Sequence, residues 1–388
     1  MQNEIAIILI LSVIIFISPL LSKITRIPTV PIEIILGSVI ISFGLLEHNR
    51  IFTLVAELGF LYLMFLAGLE VDLRIVLNMD TKIIKKSLVY MFILYFITFI
   101  FTVYFELSNI FIVTIPLISI GLLAALKKEY GNVQWINLAI TVGIIGEIIS
   151  IIVLTVVSAK FQYGLSNEFY STLFVLFSLF VAVLLIYKLL NTLVWWYPDI
   201  KTYLMPNFGT QEQDIRVSMS IFFIFIALML YLHLEVALGT FLAGMFISTF
   251  FHHNKELPKK LEHFGFGWLV PIFFIWVGTT FDLSALLKPN LVNIALLITF
   301  CVIILRLFAS LLFIKELKAK GIILFALSHS MPLTLIIAVA TLAHNANAIT
   351  NYYYYVFILS AILEVIISMI LIEIINAISN IKLKLKVK

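Results

Sequence analysis

The chain has 388 residues, of which 63% are hydrophobic and 12% charged, and its formal net charge is +4. A composition this apolar excludes a soluble globular protein and predicts an all-α polytopic membrane protein. The single cysteine, Cys301, excludes an intrachain disulfide, and no Cys/His cluster indicates a metal centre. We therefore expect no cofactor and no tightly bound metal.

Thirteen stretches of the chain are long and apolar enough to be membrane spans, which need about 20 largely apolar residues. In chain order, spans 1 to 13 cover residues 4–22, 29–46, 52–71, 86–105, 109–126, 136–158, 168–190, 216–233, 236–251, 264–281, 291–313, 320–343 and 353–379. Span 1 follows Glu4 instead of a basic segment and has no small-residue cleavage pattern after it. It is therefore predicted to be a retained span and not a signal peptide.

Lysines and arginines are frequent in every second loop between the predicted spans and rare in the loops between them. If the N-terminus lies outside, 21 of the 25 fall on inner connections and the C-terminal tail, and only Arg50, Lys160 and Lys288 fall on outer ones. Because inner loops of membrane proteins are enriched in basic residues, this pattern supports thirteen spans with an outer N-terminus and a cytoplasmic C-terminus. The basic residues are dispersed among loops of mixed sign, so we expect no nucleic-acid partner.

The two halves of the chain carry similar segments. Spans 3 and 10 both end in Gly-x-x-x-Asp-Leu, starting at Gly68 and Gly278, and spans 2 and 9 carry Gly37 and Gly244 ahead of a serine. The partners are 207 to 210 residues and seven spans apart. Because seven is odd, partner spans cross the membrane in opposite senses, which predicts an inverted-topology repeat with its substrate site near the midplane.

A proline interrupts span 5 at Pro116 and span 12 at Pro332, again at nearly the repeat offset. Proline lacks an N–H and clashes with the carbonyl four residues back, so each is predicted to break its helix. A freed carbonyl in a membrane must be buried in protein or line a hydrated cavity. Such carbonyls can bind a small cation, with the hydroxyls of Ser119, Ser330 and Thr334 as candidate ligands. The alternative is that the prolines only bend the helices.

Glu147 lies near the middle of span 6. A charged side chain there costs about 2.5–3.5 kcal/mol, so an acid inside a span is a functional hypothesis by default. A proton and a metal cation would compete for its carboxylate, and alternating exposure of the site would convert that competition into exchange. The alternative is a structural ion pair. Arg306, on span 11, is the predicted charge partner of Glu147, since buried charges cost less together, unless its side chain reaches the interface by snorkelling.

Two further titratable residues are accessory candidates. Glu364, on span 13, follows Glu147 by nearly the repeat offset and is its predicted mirror image; the alternative is a hydrogen-bonded structural glutamate. His329 precedes Pro332 by three residues, where a histidine could relay protons or simply pack by hydrogen bonding.

Four segments resemble the monovalent cation/proton antiporters of the NapA and Kef type: residues 28–37, 56–70, 238–244 and 270–278. The resemblance implies a sodium/proton antiporter fold of about thirteen helices with an inverted repeat, in which the broken helices 5 and 12 cross. It also implies a homodimer. We expect dimerisation parts at about 1–80 and 216–283, a linker helix at 168–190, and core ion-transport parts at about 84–160 and 290–380, without the soluble regulatory domain of Kef proteins.

The chain departs from the family pattern at two places. Gly146-Glu147 stands where the family has a polar residue followed by Asp, and Leu117-Ile118 stands where the family has Thr-Ser or Thr-Asp. Both changes remove expected cation ligands. The predicted function is a non-enzymatic secondary antiporter of the inner cell membrane that exchanges Na⁺, K⁺ or Li⁺ for H⁺, electroneutrally. A carrier of another, organic ion with the same fold and a non-transporting membrane sensor are the alternatives.

Overall fold

The computed structural model describes residues 2–25, 27–44, 49–197, 212–251, 254–281 and 283–386, and these ranges contain helices but no β-strand. Asp282, the aspartate of the second Gly-x-x-x-Asp-Leu motif, lies outside them. The α-helices are α1 Gln2–Thr25, α2 Thr29–Ser42, α3 Arg50–Leu69, α4 Leu73–Leu77, α5 Thr81–Tyr104, α6 Ile110–Thr114, α7 Gly121–Tyr130, α8 Gln134–Tyr163, α9 Asn167–Trp196, α10 Gln213–Tyr231, α11 Val236–Phe250, α12 Leu257–Phe264, α13 Val270–Thr279, α14 Leu291–Ser310, α15 Ala319–His329, α16 Leu333–Asn345 and α17 Asn351–Lys386. A π-helical turn, Gly265–Leu269, joins α12 to α13, and 3₁₀ turns follow α13 and α14.

The predicted membrane spans correspond to these helices. Ten helical segments within the described ranges are long and apolar enough to cross a membrane, and α2 and α11 are shorter apolar helices. The remaining predicted span, span 5, is the interrupted pair α6 and α7. The protein is therefore an all-helical, multi-pass membrane protein, as predicted, while the number of thirteen crossings stays a prediction.

The chain forms two compact units. The first comprises Met1–Leu20, Glu33–Leu77 and Thr155–Thr279, and the second comprises Leu21–Ile32, Asn78–Leu154 and Thr280–Lys388. The segments predicted for dimerisation and for the linker fall largely in the first unit, and those predicted for ion transport fall largely in the second. The roles of these segments stay predictions.

Within the first unit, two pairs of helices approach closely at glycines. A Cβ added to Gly68 of α3 or to Gly244 of α11 would lie 2.0 Å from a backbone carbonyl oxygen of the other helix. Helices α2 and α13 cross in the same way. A Cβ added to Gly37 would lie 2.3 Å from a backbone carbonyl oxygen of α13, and a Cβ added to Gly278 would lie 2.1 Å from one of α2. The predicted repeat pairs Gly37 with Gly244 and Gly68 with Gly278, so it maps one crossing onto the other. This correspondence supports the predicted repeat.

The second unit contains both interrupted helices. Residues 115–120, which separate α6 from α7 and include Pro116, are not helical, and residues 330–332 separate α15 from α16. We call these segments the first break and the second break. The long helix α17 packs against α14, α15 and α16, and the N-terminal part of α8, up to Leu154, belongs to the same unit. The helices on both sides of the second break therefore pack against the continuous helix α17.

Candidate functional site

The first break begins as a distorted helical turn and then unwinds. The amides of Ile115 and Leu117 still donate to carbonyl oxygens of α6, at 3.1 and 3.4 Å. Pro116 between them has no amide hydrogen, so the regular ladder ends here. Beyond Leu117 the backbone must find hydrogen-bond partners outside its own helix, because unpaired backbone groups in a membrane cost several kcal/mol each.

Two side chains of helix α8 accept hydrogen bonds from backbone amides of the first break. The amide of Ile120 donates to Glu147 Oε2 at 2.5 Å, and the amide of Ile118 donates to Ser150 Oγ at 3.0 Å. Both side chains are completely buried. Residues three apart lie on one face of a helix, so Glu147 and Ser150 reach the same segment. The sequence analysis did not predict Ser150; its spacing from Glu147 was the available signal.

Arg306 of α14 binds the carbonyls of the same break. Its Nη2 donates to the carbonyl oxygens of Ile115 and Leu117, at 2.8 and 2.6 Å, and its side chain is completely buried. The snorkelling alternative is therefore wrong. The predicted ion pair of Arg306 with Glu147 stays a prediction. The guanidinium donates to carbonyl oxygens of the break, where the regular helical hydrogen-bond ladder is interrupted.

Gly146 has a packing role that the sequence analysis missed. A Cβ added at Gly146 would lie 2.8 Å from Ile118 Cδ1 and 3.0 Å from Ile118 Cβ. At Gly143, one turn earlier, it would lie 3.2 Å from side-chain atoms of Ile120 and Leu123. The two glycines thus allow α8 to approach the apolar side chains of the break. Gly146 and Ile118 are therefore in direct packing contact.

Two of the predicted hydroxyl ligands lie in the second break or directly after it. Ser330 Oγ donates to the carbonyl of Ala326 in its own helix, at 2.8 Å, while Thr334 is half-buried in the first turn of α16. Ser119, in the first break, is also half-buried. The hydrogen bonds described for Glu147 do not include these three hydroxyls. Their role as cation ligands stays a prediction.

His329 connects the second break to α8. Its Nε2 lies 3.0 Å from the carbonyl oxygen of Ala139, and because a carbonyl can only accept, Nε2 carries the hydrogen. The ring packs edge-on against Phe325, with centroids 4.3 Å apart, and lies 5.8 Å from the ring of Tyr90. Ala139 and Glu147 are eight residues apart on one face of α8, so this face contacts both breaks. These contacts fit the packing role; the relay role stays a prediction.

Glu364 of α17 is buried, with 1% of its surface exposed. Neither carboxylate oxygen has a hydrogen-bond partner in the described part of the chain. The described residues thus provide no partner for a hydrogen-bonded structural glutamate, and both predicted roles of Glu364 stay predictions.

The arrangement around Glu147 can bind a small positive ligand. A buried carboxylate beside unwound backbone offers oxygen atoms to a proton or to a monovalent cation, whereas leaving it charged and alone would cost several kcal/mol. Arg306 and Ser150 bind the backbone of the same break. The role of Glu147 as an ion- and proton-binding group stays a prediction.

Comparisons with known proteins identify the family of the chain. The family model described as "Sodium/hydrogen exchanger, transmembrane" matches residues 10–375. YjbQ of Bacillus subtilis (strain 168), named as an Na(+)/H(+) antiporter, is 26% identical over 380 residues, which cover 90% of this chain and 59% of YjbQ. Antiporter 3 of Methanocaldococcus jannaschii, also named as an Na(+)/H(+) antiporter, is 27% identical over 300 residues, covering 74% of this chain and 73% of that protein.

A solved structure shows the same fold. The sodium proton antiporter MjNhaP1 from Methanocaldococcus jannaschii superposes with a TM-score of 0.67 at 16% sequence identity, covering 96% of this chain and 99% of that one. At this identity the likeness establishes the fold alone. The chain spans 59% of the length of YjbQ, so what the longer relative does as a whole is not carried over here.

Proposed function

This chain belongs to the sodium/hydrogen exchanger family, and we propose that it is a secondary antiporter that exchanges Na⁺ for H⁺ across the cell membrane by alternating access. The names of its relatives support this choice of ions. K⁺ and Li⁺ are the other monovalent cations that the same carboxylate could bind. The predicted family is confirmed; the transported ion is the proposal.

The observation that carries the proposal is the position of Glu147. It is completely buried on α8, and its Oε2 accepts the amide of Ile120 in the first break at 2.5 Å. This bond fixes the carboxylate beside the unwound backbone. A proton and a monovalent cation then compete for one anionic group, and one ligand must leave before the other binds. Exposure of the site to one side of the membrane at a time makes the competition an exchange.

The stoichiometry follows from charge. One carboxylate that carries either one H⁺ or one monovalent cation moves no net charge over a complete cycle, so we propose electroneutral one-for-one exchange. We also propose the orientation indicated by the distribution of basic residues, with the N-terminus outside and the C-terminus in the cytoplasm. We further propose that the first unit, in which two pairs of helices cross closely at glycines, forms the homodimer contact.

The test is cation-dependent proton movement in proteoliposomes that contain the purified chain and an internal pH dye. Addition of Na⁺ should change the internal pH, and Glu147→Gln should abolish the change. Glu373→Gln serves as the matched control, because Glu373 is an exposed glutamate on α17. Absence of a response to Na⁺, K⁺ and Li⁺ would rule out the proposed function, and undiminished exchange by Glu147→Gln would rule out this carboxylate.

One observation favours a second candidate, a carrier of an organic ion with the same fold. The apolar side chain of Ile118 packs on Gly146 where the family places polar residues, so the site offers few oxygen ligands to a bare cation. The same proteoliposomes discriminate the two functions. Proton movement driven by organic cations but not by Na⁺, K⁺ or Li⁺ would favour the second candidate.

A further inference from the structure

A stripe of buried polar residues runs along one face of α17. Ser360, Glu364 and Ser368 are spaced by four residues, and each is at most 1% exposed. The carbonyl of Ser360 accepts a hydrogen bond from Thr299 Oγ1 of α14 at 3.3 Å, and Ser368 Oγ donates to the carbonyl of Ser330 in the second break at 3.5 Å. Glu364 therefore lies between a contact to α14 and a contact to the second break.

Glu364 has no hydrogen-bond donor in this environment. Neither of its carboxylate oxygens is paired within the described residues, and Nε and Nη1 of Arg306 are unpaired as well. A buried, unpaired carboxylate costs several kcal/mol. The cost is removed in either of two ways: a proton neutralises the carboxyl group, or water bridges the carboxylate to a nearby cation. The first state is the protonated form of Glu364 and the second is the ionised form, so uptake or release of one proton converts one state into the other.

Arg306 interacts with Glu364 and with titratable groups on two further helices. Helix α14 provides Arg306, which interacts electrostatically with Glu364 and with Tyr90 and Tyr95 of α5. Helix α15 provides His329, which also interacts with Arg306. Both tyrosine hydroxyls and Nδ1 of His329 lack hydrogen-bond partners within the described chain. Arg306 is the one permanently charged member of this group, so it is the countercharge for Glu364.

This cluster is distinct from the site at Glu147. Glu147 is bonded to the first break, whereas the stripe that contains Glu364 contacts the second break. A cavity of about 470 Å³ also borders α17, lined by Ile366, Met369, Ile370 and Glu373 among others. At 3.6 residues per turn these side chains lie about half a turn around α17 from Glu364. The cavity therefore does not account for the buried stripe.

We infer that Glu364 is a second proton-binding site of this protein, with Arg306 as its buried countercharge. The proton comes from water, forms an O–H bond with one carboxylate oxygen and returns to water, and no other bond changes. Arg306 also holds the carbonyls of the first break, so the charge of Glu364 acts on the group that positions the site of Glu147. The effect on exchange rests on the proposed function; the binding of a proton does not.

The direct test is infrared difference spectroscopy on the purified full-length chain, titrated between about pH 4 and pH 10, a range that brackets ordinary carboxyl and histidine titration. Glu364 should contribute a carboxylic-acid C=O band that disappears as the pH rises. The band should be absent from Glu364→Gln and retained in the matched control Glu373→Gln. A difference spectrum of Glu364→Gln identical to that of the unmodified chain would overturn the inference.

A second variant covers the case in which Glu364→Gln does not fold. Glu364→Asp keeps the acid but shortens it by one methylene, so the titrating band should move in frequency. A band at the same frequency and the same midpoint would assign it to another residue and overturn the inference.

Exchange provides an independent readout. In proteoliposomes, Glu364→Gln should retain Na⁺-dependent proton movement while shifting the midpoint of its pH profile by at least about tenfold in proton concentration, equivalent to about 1.4 kcal/mol. An unchanged profile would overturn the link to Arg306. If the unmodified chain shows no exchange at all, the proposed function fails, but the infrared result still decides the proton site.

Discussion

Glu147 and Arg306 stabilise the same break, residues 115–120, by binding opposite kinds of backbone group. Glu147 Oε2 accepts the amide of Ile120 at 2.5 Å, and Arg306 Nη2 donates to the carbonyls of Ile115 and Leu117 at 2.8 and 2.6 Å. A buried anion and a buried cation are thus coupled through the unwound backbone between them. A change at either residue should be transmitted to the other through this segment.

Shortening Glu147 should weaken cation binding. In Glu147→Asp the carboxylate is one methylene, about 1.5 Å, further from Ile120, so the 2.5 Å bond to the amide cannot be kept without moving α8. Hydrogen bonds of charged groups contribute about 1.5–3 kcal/mol. We expect the apparent KM for Na⁺ in proteoliposomes to rise about tenfold or more. A lower KM would show that the added methylene of Glu147 does not compensate for the missing polar neighbour.

Placing a polar residue at position 146, as the family resemblance implies, should destabilise the protein when it is the only substitution. Gly146→Asn places a Cβ 2.8 Å from Ile118 Cδ1, and overpacking of this kind costs about 1–3 kcal/mol. The double variant Gly146→Asn with Ile118→Ser should recover most of the lost thermal stability in detergent.

Gly267→Ala is the control for adding a Cβ, because that position has no atom within 4 Å of the added carbon. The thermal midpoint of Gly267→Ala should be close to that of the unmodified chain. If the stability changes caused by the substitutions at Gly146 and Ile118 are instead additive, the two residues do not interact energetically.

Removing the guanidinium should destabilise the protein strongly. Arg306→Met leaves the carbonyls of Ile115 and Leu117 without donors and Glu364 without its countercharge, and breaking a buried charged contact costs about 3–5 kcal/mol. We expect a large drop in the thermal midpoint. Adding Glu364→Gln should recover part of it, because the stranded carboxylate is removed.

Arg216→Met, at an exposed arginine of α10, is the control for losing a cation and should have little effect. No recovery in the variant that combines Arg306→Met with Glu364→Gln would indicate that Arg306 and Glu364 are energetically independent.

The ion pair of Lys86 with Glu316 should contribute little, and only above a certain pH. Glu316 lies outside the spans, and its hydrogen bond from Lys86 lowers the pKa of the Glu316 carboxyl. Because the folded-state pKa is below the unfolded one, the stabilisation is present above the unfolded value and is lost as the pH falls through the folded value. The two side chains are 38% and 35% exposed, so solvent screening limits the contribution to under about 1 kcal/mol.

Glu316→Gln should therefore lower thermal stability slightly at neutral pH and less so at high salt. The difference should vanish as the pH falls through the folded-state pKa, because the carboxyl is then protonated in both states. Melting curves in detergent from neutral to acidic pH provide the measurement. A difference of equal size throughout would mean that the substitution does not act through the charge of Glu316.

Local features of the chain predicted the parts of the site that depend on local chemistry. Pro116 and Pro332 mark non-helical segments because a missing amide acts on the residues next to it. Glu147 was identified by its place in an apolar stretch, where any acid is costly. Ser150 was missed, although it lies three residues after Glu147, because a serine in a membrane helix usually bonds to its own backbone.

The sequence by itself determined the class of protein, the family and the residues that carry unusual charge, since hydropathy, basic-residue asymmetry and proline positions are properties of the chain alone. Only the tertiary structure decided which groups these residues bind. Arg306 binds carbonyls 189 and 191 residues away in the chain, and Gly146 leaves room for Ile118. The hydrogen-bond partners of unwound backbone depend on which helices pack around it, and the residues of the break do not reveal that packing.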